Sequence, residues 1–295
     1  MANPKETGNN ERLLLSTKIS IPKMPSEFVS RPRLIERIDR GVKGPLTLVA
    51  APAGFGKTNL LVEWAQKTEH PLAWLSIDPD DNDINRFFGY LVGALQTQEP
   101  HLGEDTLDII HSSWGVGLDV GITILLNEIA ALPKELVLVC DDFQELEDQG
   151  ILQNINFILK HIPHNFHIVI ASRVEPALDL PFLRAKGWLT ELGLNDLRFS
   201  SDEVALFFRQ AMQLNLTDET ITALEKRTDG WVTALQMAAV SLRDQADPEK
   251  LVESLQGDAH YMVDFLAEEV LDRQPEEIRQ FLLRSSILDS LNGSL

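Results

Sequence analysis

The segment Leu46-Thr47-Leu48-Val49-Ala50-Ala51-Pro52-Ala53-Gly54-Phe55-Gly56-Lys57-Thr58 constrains the fold more than any other part of the chain. An apolar run of strand length enters a small-residue loop, and the loop opens a helix that continues through Asn59. In this arrangement backbone N–H groups can curl around a phosphate while the helix N-terminus adds a favourable partial charge. Gly54 and Gly56 permit backbone conformations that a Cβ would block. Lys57 is placed to reach β- and γ-phosphates, and the Thr58 hydroxyl to hold Mg²⁺. One departure stands out: the pattern G-x-x-x-x-G-K-[ST] opens with glycine, whereas this chain has Ala51, which is still small enough for the loop to close. The competing reading is a Gly-rich strand-to-helix turn that binds nothing. Gly-Lys-Thr in its strand–loop–helix setting favours a phosphate.

Around this segment, apolar runs alternate with amphipathic helical patterns. Candidate strands are Leu46–Ala51, Leu72–Ile77, Leu136–Asp141, Phe166–Ser172 and Leu189–Leu194, with helical patterns near 57–68, 84–98, 121–131 and 149–161. Near-continuously apolar strands alternating with helices predict an α/β P-loop NTPase domain, a parallel sheet covered by helices on both faces. The stretch from Leu13 to Arg33 reads as extended, because Pro22, Pro25 and Pro32 discourage helix. After residue 199 the pattern changes to mostly α-helical. Ser200-Ser201-Asp202-Glu203 fits a capping box opening a helix with Val204, Phe207, Phe208 and Ala211 on one face. Val232, Leu235, Ala239 and Leu242 form a second stripe, and Asp247-Pro248 and Gln274-Pro275 mark further helix starts. There is no internal repeat or low-complexity tract, and the ending Asn292-Gly293-Ser294-Leu295 looks cut.

Two more strand ends carry chemistry. Leu136-Val137-Leu138-Val139-Cys140 runs into Asp141 and Asp142. Asp141 is the candidate metal-shell carboxylate, and Asp142 a group to orient or polarise attacking water. Both aspartates equally suit strand termination and capping. Ile168-Val169-Ile170-Ala171-Ser172 delivers Arg173 to the carboxyl edge of the sheet, where it suits bidentate pairing with a terminal phosphate. A surface salt bridge is the alternative for Arg173.

Charge narrows the partners. The formal net charge of −19 repels nucleic acid phosphates, and no Lys/Arg run compensates, so direct nucleic acid contact is not expected. A single cysteine, Cys140, precludes an internal disulfide and fits a reducing cytoplasm. The N-terminus is polar, and no apolar run approaches the roughly 18 residues of a membrane span. Cytoplasmic localisation without a membrane partner is the expectation.

Beyond single motifs, the chain resembles MalT-like transcriptional activators of the LuxR family. The resemblance runs through Thr17-Lys18-Ile19-Ser20-Ile21-Pro22, Val29-Ser30-Arg31-Pro32-Arg33-Leu34 and Ala51-Pro52-Ala53-Gly54-Phe55-Gly56-Lys57-Thr58. It continues in Trp74-Leu75-Ser76-Ile77-Asp78, Asp141-Asp142-Phe143, Ser172-Arg173 with Pro176 and Leu183-Arg184, Asp196-Leu197-Arg198-Phe199 and Gly230-Trp231. Such proteins are signal-transduction ATPases with numerous domains (STAND). Residues 1–12 are polar and read as a disordered tail. The resemblance implies a nucleotide-binding domain over 13–199, a helical domain over 200–256 and the start of a winged-helix domain over 257–295. It also implies ATP/ADP and Mg²⁺ as ligands, and sensor repeats and DNA-binding helices in a longer parent chain. Val29 and Arg31 would frame the adenine, and His260 would match the winged-helix histidine that touches the β-phosphate of ADP. Where related ATPases carry Gly-x-Pro near the nucleotide, this chain has Gly230-Trp231-Val232, so Trp231 is expected to be a core aromatic at the domain junction.

The combined expectation is a switch, ADP-bound at rest and Mg·ATP-bound, self-associated and slowly hydrolysing when active. Two other classes compete with it: an AAA+ or ORC-like ATPase with high turnover, and a degenerate P-loop scaffold for protein contacts. Intact Lys57, Thr58 and Asp141 speak against the scaffold.

Overall fold

The computed structural model describes residues 14–111 and 117–243, with residues 276, 279 and 280. The expected tail over 1–12, the helix starts at Asp247-Pro248 and Gln274-Pro275, His260 and the chain ending lie outside the described residues. Those described form two compact units. The first comprises the chain up to Met24, Pro32–Ala50 and Leu60–Leu192; the second comprises Pro25–Arg31, Ala51–Asn59 and the chain from Gly193 onward.

In chain order the elements of the first unit begin with α1 (Pro32–Gly41), β1 (Leu46–Ala50), α2 (Lys57–Lys67, entered from the second unit), β2 (Leu72–Ser76) and α3 (Ile84–Gln96). They continue with α4 (Glu104–His111), α5 (Leu118–Ala130), β3 (Leu136–Asp141), α6 (Gln149–His161), β4 (Phe166–Ser172), α7 (Leu180–Lys186) and β5 (Leu189–Leu192). The five strands make one parallel sheet in the order β2-β3-β4-β1-β5. Every residue of β3 and β4 is buried. Successive strand side chains point to opposite faces, so the sheet is covered on both, which is why its strands are almost wholly apolar. On one face Leu46, Leu48, Leu136, Leu138, Ile168 and Ile170 pack with Phe87, Phe88 and Leu91 of α3, Ile122 and Leu125 of α5, and Ile151 and Ile155 of α6.

The stretch expected to be extended up to Arg33 is not so throughout. A short 3₁₀ turn occupies Ser16–Lys18, and α1 already begins at Pro32. Proline breaks a helix interior but suits the first helical position, where its missing N–H would have had no partner. The turn is held by charge. Buried Lys18 pairs with Asp81, which is 1% exposed, and with Asp78 at 2.8 Å, while its ammonium lies 4.5 Å from the Tyr90 ring centre. Burial pushes the Asp78 carboxyl up, but the hydrogen bond and charge of Lys18 outweigh it, and the carboxyl settles below its ordinary value.

The second unit contains α8 (Leu194–Leu197), α9 (Ser201–Leu206), α10 (Asp218–Thr228) and α11 (Val232–Arg243). The capping box read in the sequence is present: Ser200 Oγ accepts from Glu203 N, and Glu203 Oε2 from Ser200 N. The helix it opens passes into a π-helical turn at Phe207–Ala211 instead of running on. Val204, Phe207 and Phe208 still face inward, meeting Leu224 of α10 and Leu235, Ala239 and Leu242 of α11.

A buried polar knot crosses the sheet beneath β1. His167 sits between the Gly44 carbonyl and Thr47 Oγ1, the latter at 3.1 Å. Burial pushes its imidazole from 6.5 down to about 4, against the Gly44 carbonyl, which favours the charged form. The folded state therefore resists protonation that the unfolded chain accepts. Stability is expected to be full above pH 6.5 and to fall by about 3 kcal/mol as pH drops towards 4. Denaturant midpoints measured across that window should show this slope, and His167→Gln should reduce it.

Candidate phosphate-binding site

The turn from β1 into α2 is built as a cradle. Gly54 and Gly56 have φ of +80° and +75°, which a side chain disfavours. These left-handed turns bring the chain directly to Lys57, the first residue of α2. Such a loop turns its N–H groups inward only if its carbonyls find donors elsewhere. They do. The buried Lys57 Nζ donates to Ala51 O at 2.7 Å and Pro52 O at 3.0 Å. Ala53 O accepts from Trp231 Nε1 at 3.0 Å. Gly54 O accepts from both Thr233 N and Thr233 Oγ1, each at 3.2 Å. Pro52 and Asn59 are exposed, whereas Ala53, Phe55 and Thr58 are half-buried.

Trp231 is thus not the core aromatic that the sequence suggests. It is half-buried, its ring lies 6.3 Å from that of Phe55, and its N–H is spent on the loop. Sequence reasoning missed Thr233 altogether. The available signal was its place two residues after Trp231, in the first turn of a helix whose leading N–H groups need acceptors.

Val29 and Arg31 also lie in the second unit. Val29 is half-buried against its apolar core. The Arg31 guanidinium, 4% exposed, reaches both Glu203 carboxylate oxygens at 3.4 Å and the carbonyls of Asp196 and Arg198 at 3.3 and 3.0 Å. It also stands 5.0 Å from the centre of the Phe199 ring. These bonds tie residues 25–31 to α8 and α9. Arg31→Met should cost about 2–3 kcal/mol, since it removes the cation opposite a buried carboxylate. A lowered urea midpoint would report the loss.

In the first unit, β1, β3 and β4 end at one edge of the sheet. Ala50 is in register with Ser172, and Cys140 with Ile170. Asp141, 3% exposed, closes β3, and its carbonyl accepts from Ile77 N at 3.0 Å. Asp142 follows in a left-handed conformation (φ 55°), which Asp tolerates better than most residues. Gln144, which sequence reasoning passed over, joins the two strand ends. Its amide N–H donates to Asp142 Oδ1 at 3.0 Å, and its Oε1 accepts from Arg173 N at 2.9 Å. The structure therefore brings Asp141, Asp142 and Arg173 to one edge, with Ser172 fully buried between them and the end of β1. Burial first, then the Asp141 charge, pushes the Cys140 thiol up to about 12, so it stays protonated and unreactive. Among the described residues there is no group of three or more His, Cys, Asp or Glu side chains arranged for a metal, and no helix is long and apolar enough to cross a membrane.

Comparison with known proteins agrees with this architecture. The chain is 33% identical over 285 residues to the HTH-type transcriptional regulator MalT of Yersinia pestis, covering 96% of this chain and 32% of that protein. The corresponding regulator of Yersinia enterocolitica matches at the same identity and coverage. The chain thus spans about a third of the length of these relatives. A family model described as the MalT winged helix domain matches residues 267–295. In fold, the chain is similar to a STAND protein with a tetratricopeptide repeat sensor from Pyrococcus horikoshii, at TM-score 0.53 and 18% identity, over 92% of this chain and 36% of that one. It is also similar to a Walker-type ATPase of Pyrococcus abyssi, at TM-score 0.56 and 16% identity, over 87% and 80% of the respective chains. With a parallel α/β fold, a helical region and a C-terminal match to the MalT winged helix, the chain is similar over nearly its whole length to about a third of a MalT-type transcriptional regulator.

Proposed function

We propose that the chain is the ATP/ADP-binding switch module of a MalT-like regulator. It holds ADP at rest and Mg·ATP when active, and returns to rest by slow hydrolysis. The observation that carries this reading is the loop before α2, with two left-handed glycines and a buried Lys57 whose ammonium is already bonded to the loop's own carbonyls. Its N–H groups and the Lys57 charge fit the phosphates of a nucleotide.

In this reading Pro52, Ala53, Gly54, Phe55 and Gly56 form the cradle, Lys57 meets the β- and γ-phosphates, and Thr58 and Asn59 open the helix beneath them. Val29 and the Arg31 backbone frame the adenine, since the Arg31 guanidinium is already engaged by Glu203. The Thr58 hydroxyl and the Asp141 carboxylate are hard oxygen donors, the type Mg²⁺ takes in ones and twos beside nucleotide phosphates. When bound, the ion supplies charge neutralisation on those phosphates. Asp142 orients the attacking water, and Arg173, whose backbone is fixed by Gln144, answers the γ-phosphate. His260 meets the β-phosphate of ADP.

The proposed domain limits are 13–199 for the nucleotide-binding domain, 200–256 for the helical domain and 257–295 for the start of the winged helix. In the longer parent chain, a sensor and a DNA-binding domain complete the regulator, which works in the cytoplasm and self-associates in the ATP state. A nucleotide drives such a switch only through different affinities for its two states.

Chromatography of nucleotide released by denaturing the purified chain should find ADP. Lys57→Ala should weaken ADP binding by about thirtyfold or more. An undiminished ADP affinity in that variant overturns the site. Asp141→Ala should keep ADP binding but slow single-turnover hydrolysis of Mg·ATP by about a hundredfold or more.

A further inference from the structure

Four consecutive carbonyls of the cradle, Ala51 to Gly54, have donors, and two of those carbonyls are held from far along the chain. The indole N–H of Trp231 takes Ala53 O, and the N–H and hydroxyl of Thr233 take Gly54 O. A trans peptide is planar, so its C=O and the N–H that follows point in opposite directions. Holding Ala53 O therefore sets the direction of the Gly54 N–H, and holding Gly54 O sets that of the Phe55 N–H. These are two of the amides that a phosphate in the cradle would meet.

The clamp is itself rigidly aimed. Asp229 and Gly230 are consecutive left-handed residues (φ 52° and 69°) that end α10 and turn the chain into α11. Phe199 N donates to Gly230 O at 3.0 Å, and a Cβ on Gly230 would meet the Phe199 backbone, so only glycine fits there. Phe199 in turn lies under Arg31. On the loop side a Cβ on Gly54 would collide with Thr233 Oγ1 and Trp231 Nε1. Gly54 is thus required both by its own φ and by the close approach of the clamp.

We propose that Trp231 and Thr233 are positioning residues for phosphate binding, which turn the Gly54 and Phe55 amides toward the nucleotide without touching it. The proposal rests on the nucleotide-binding reading above. It makes the start of α11 a reporter of the cradle. A phosphate that needs these amides turned inward favours a docked Trp231, and a docked Trp231 favours the phosphate by the same factor.

The test measures ADP affinity with a fluorescent ADP analogue, and adenosine affinity by competition with it. The variants are Trp231→Phe, Thr233→Val and Thr233→Ser. Trp231→Phe keeps an aromatic ring beside Phe55 and removes the donor. Thr233→Val keeps the shape and removes the hydroxyl, while Thr233→Ser keeps the hydroxyl. ADP binding should weaken about five- to tenfold in Trp231→Phe and Thr233→Val, and Thr233→Ser should stay close to wild type. Adenosine, which has no phosphate, should bind all variants alike. ADP affinity unchanged in both Trp231→Phe and Thr233→Val overturns the clamp, as does an equal loss for ADP and adenosine, which would signify general loosening. Failure of the wild-type chain to bind ADP or Mg·ATP overturns the nucleotide reading instead.

Discussion

A loop that turns its N–H groups inward must place its carbonyls elsewhere, and the architecture around residues 51–59 follows from that requirement. An unbonded buried carbonyl costs about 1–3 kcal/mol, comparable to what a single hydrogen bond to a ligand returns. Lys57 answers Ala51 and Pro52 from within the motif. Trp231 and Thr233 answer Ala53 and Gly54 from nearly 180 residues away. Gly230 is needed to bring them there, and Phe199 to hold Gly230. Arg31, lying over Phe199 and bonded to Glu203, extends the same chain of dependence to residues 25–31.

The sheet meets a different demand. Its central strands are buried on both faces, so apolar residues dominate them, and apart from the paired His167 and Thr47 the polar side chains stand at their carboxyl ends. With β4 lodged between β1 and β3, Ser172 and Arg173 lie between the carboxyl ends of their neighbours. Gln144 fixes the spacing of two of those ends by bonding Asp142 with one end of its amide and the Arg173 backbone with the other. A polar side chain with both a donor and an acceptor is suited to this, and neither an aspartate nor a lysine would serve both partners.

Much of the fold was legible in the sequence because the relevant forces are local. All five strands appear as apolar runs, and α2, α3, α5 and α6 as periodic ones, with ends within a few residues of those observed. The Ser200 capping box was readable for the same reason, since its two hydrogen bonds span three residues. The failures are also physical. Pro32 reads as a helix breaker in the sequence, yet it stands at the first helical position of α1, where proline is tolerated. The short helix α7 has Pro181 near its start and the left-handed Gly187 at its end, signals that were present but framed too few apolar positions to show a period.

What the sequence determined by itself is the alternation of strands and helices, the glycine–lysine–threonine turn and the carboxylates at the end of β3, because each depends on residues adjacent in the chain. The tertiary structure alone decided the strand order, the commitment of Arg31 to Glu203 and the anchoring of the loop by Trp231 and Thr233. Each of these pairs groups distant along the chain, and their selection rests on which polar atoms remain unbonded after the core has packed. No local pattern records that choice.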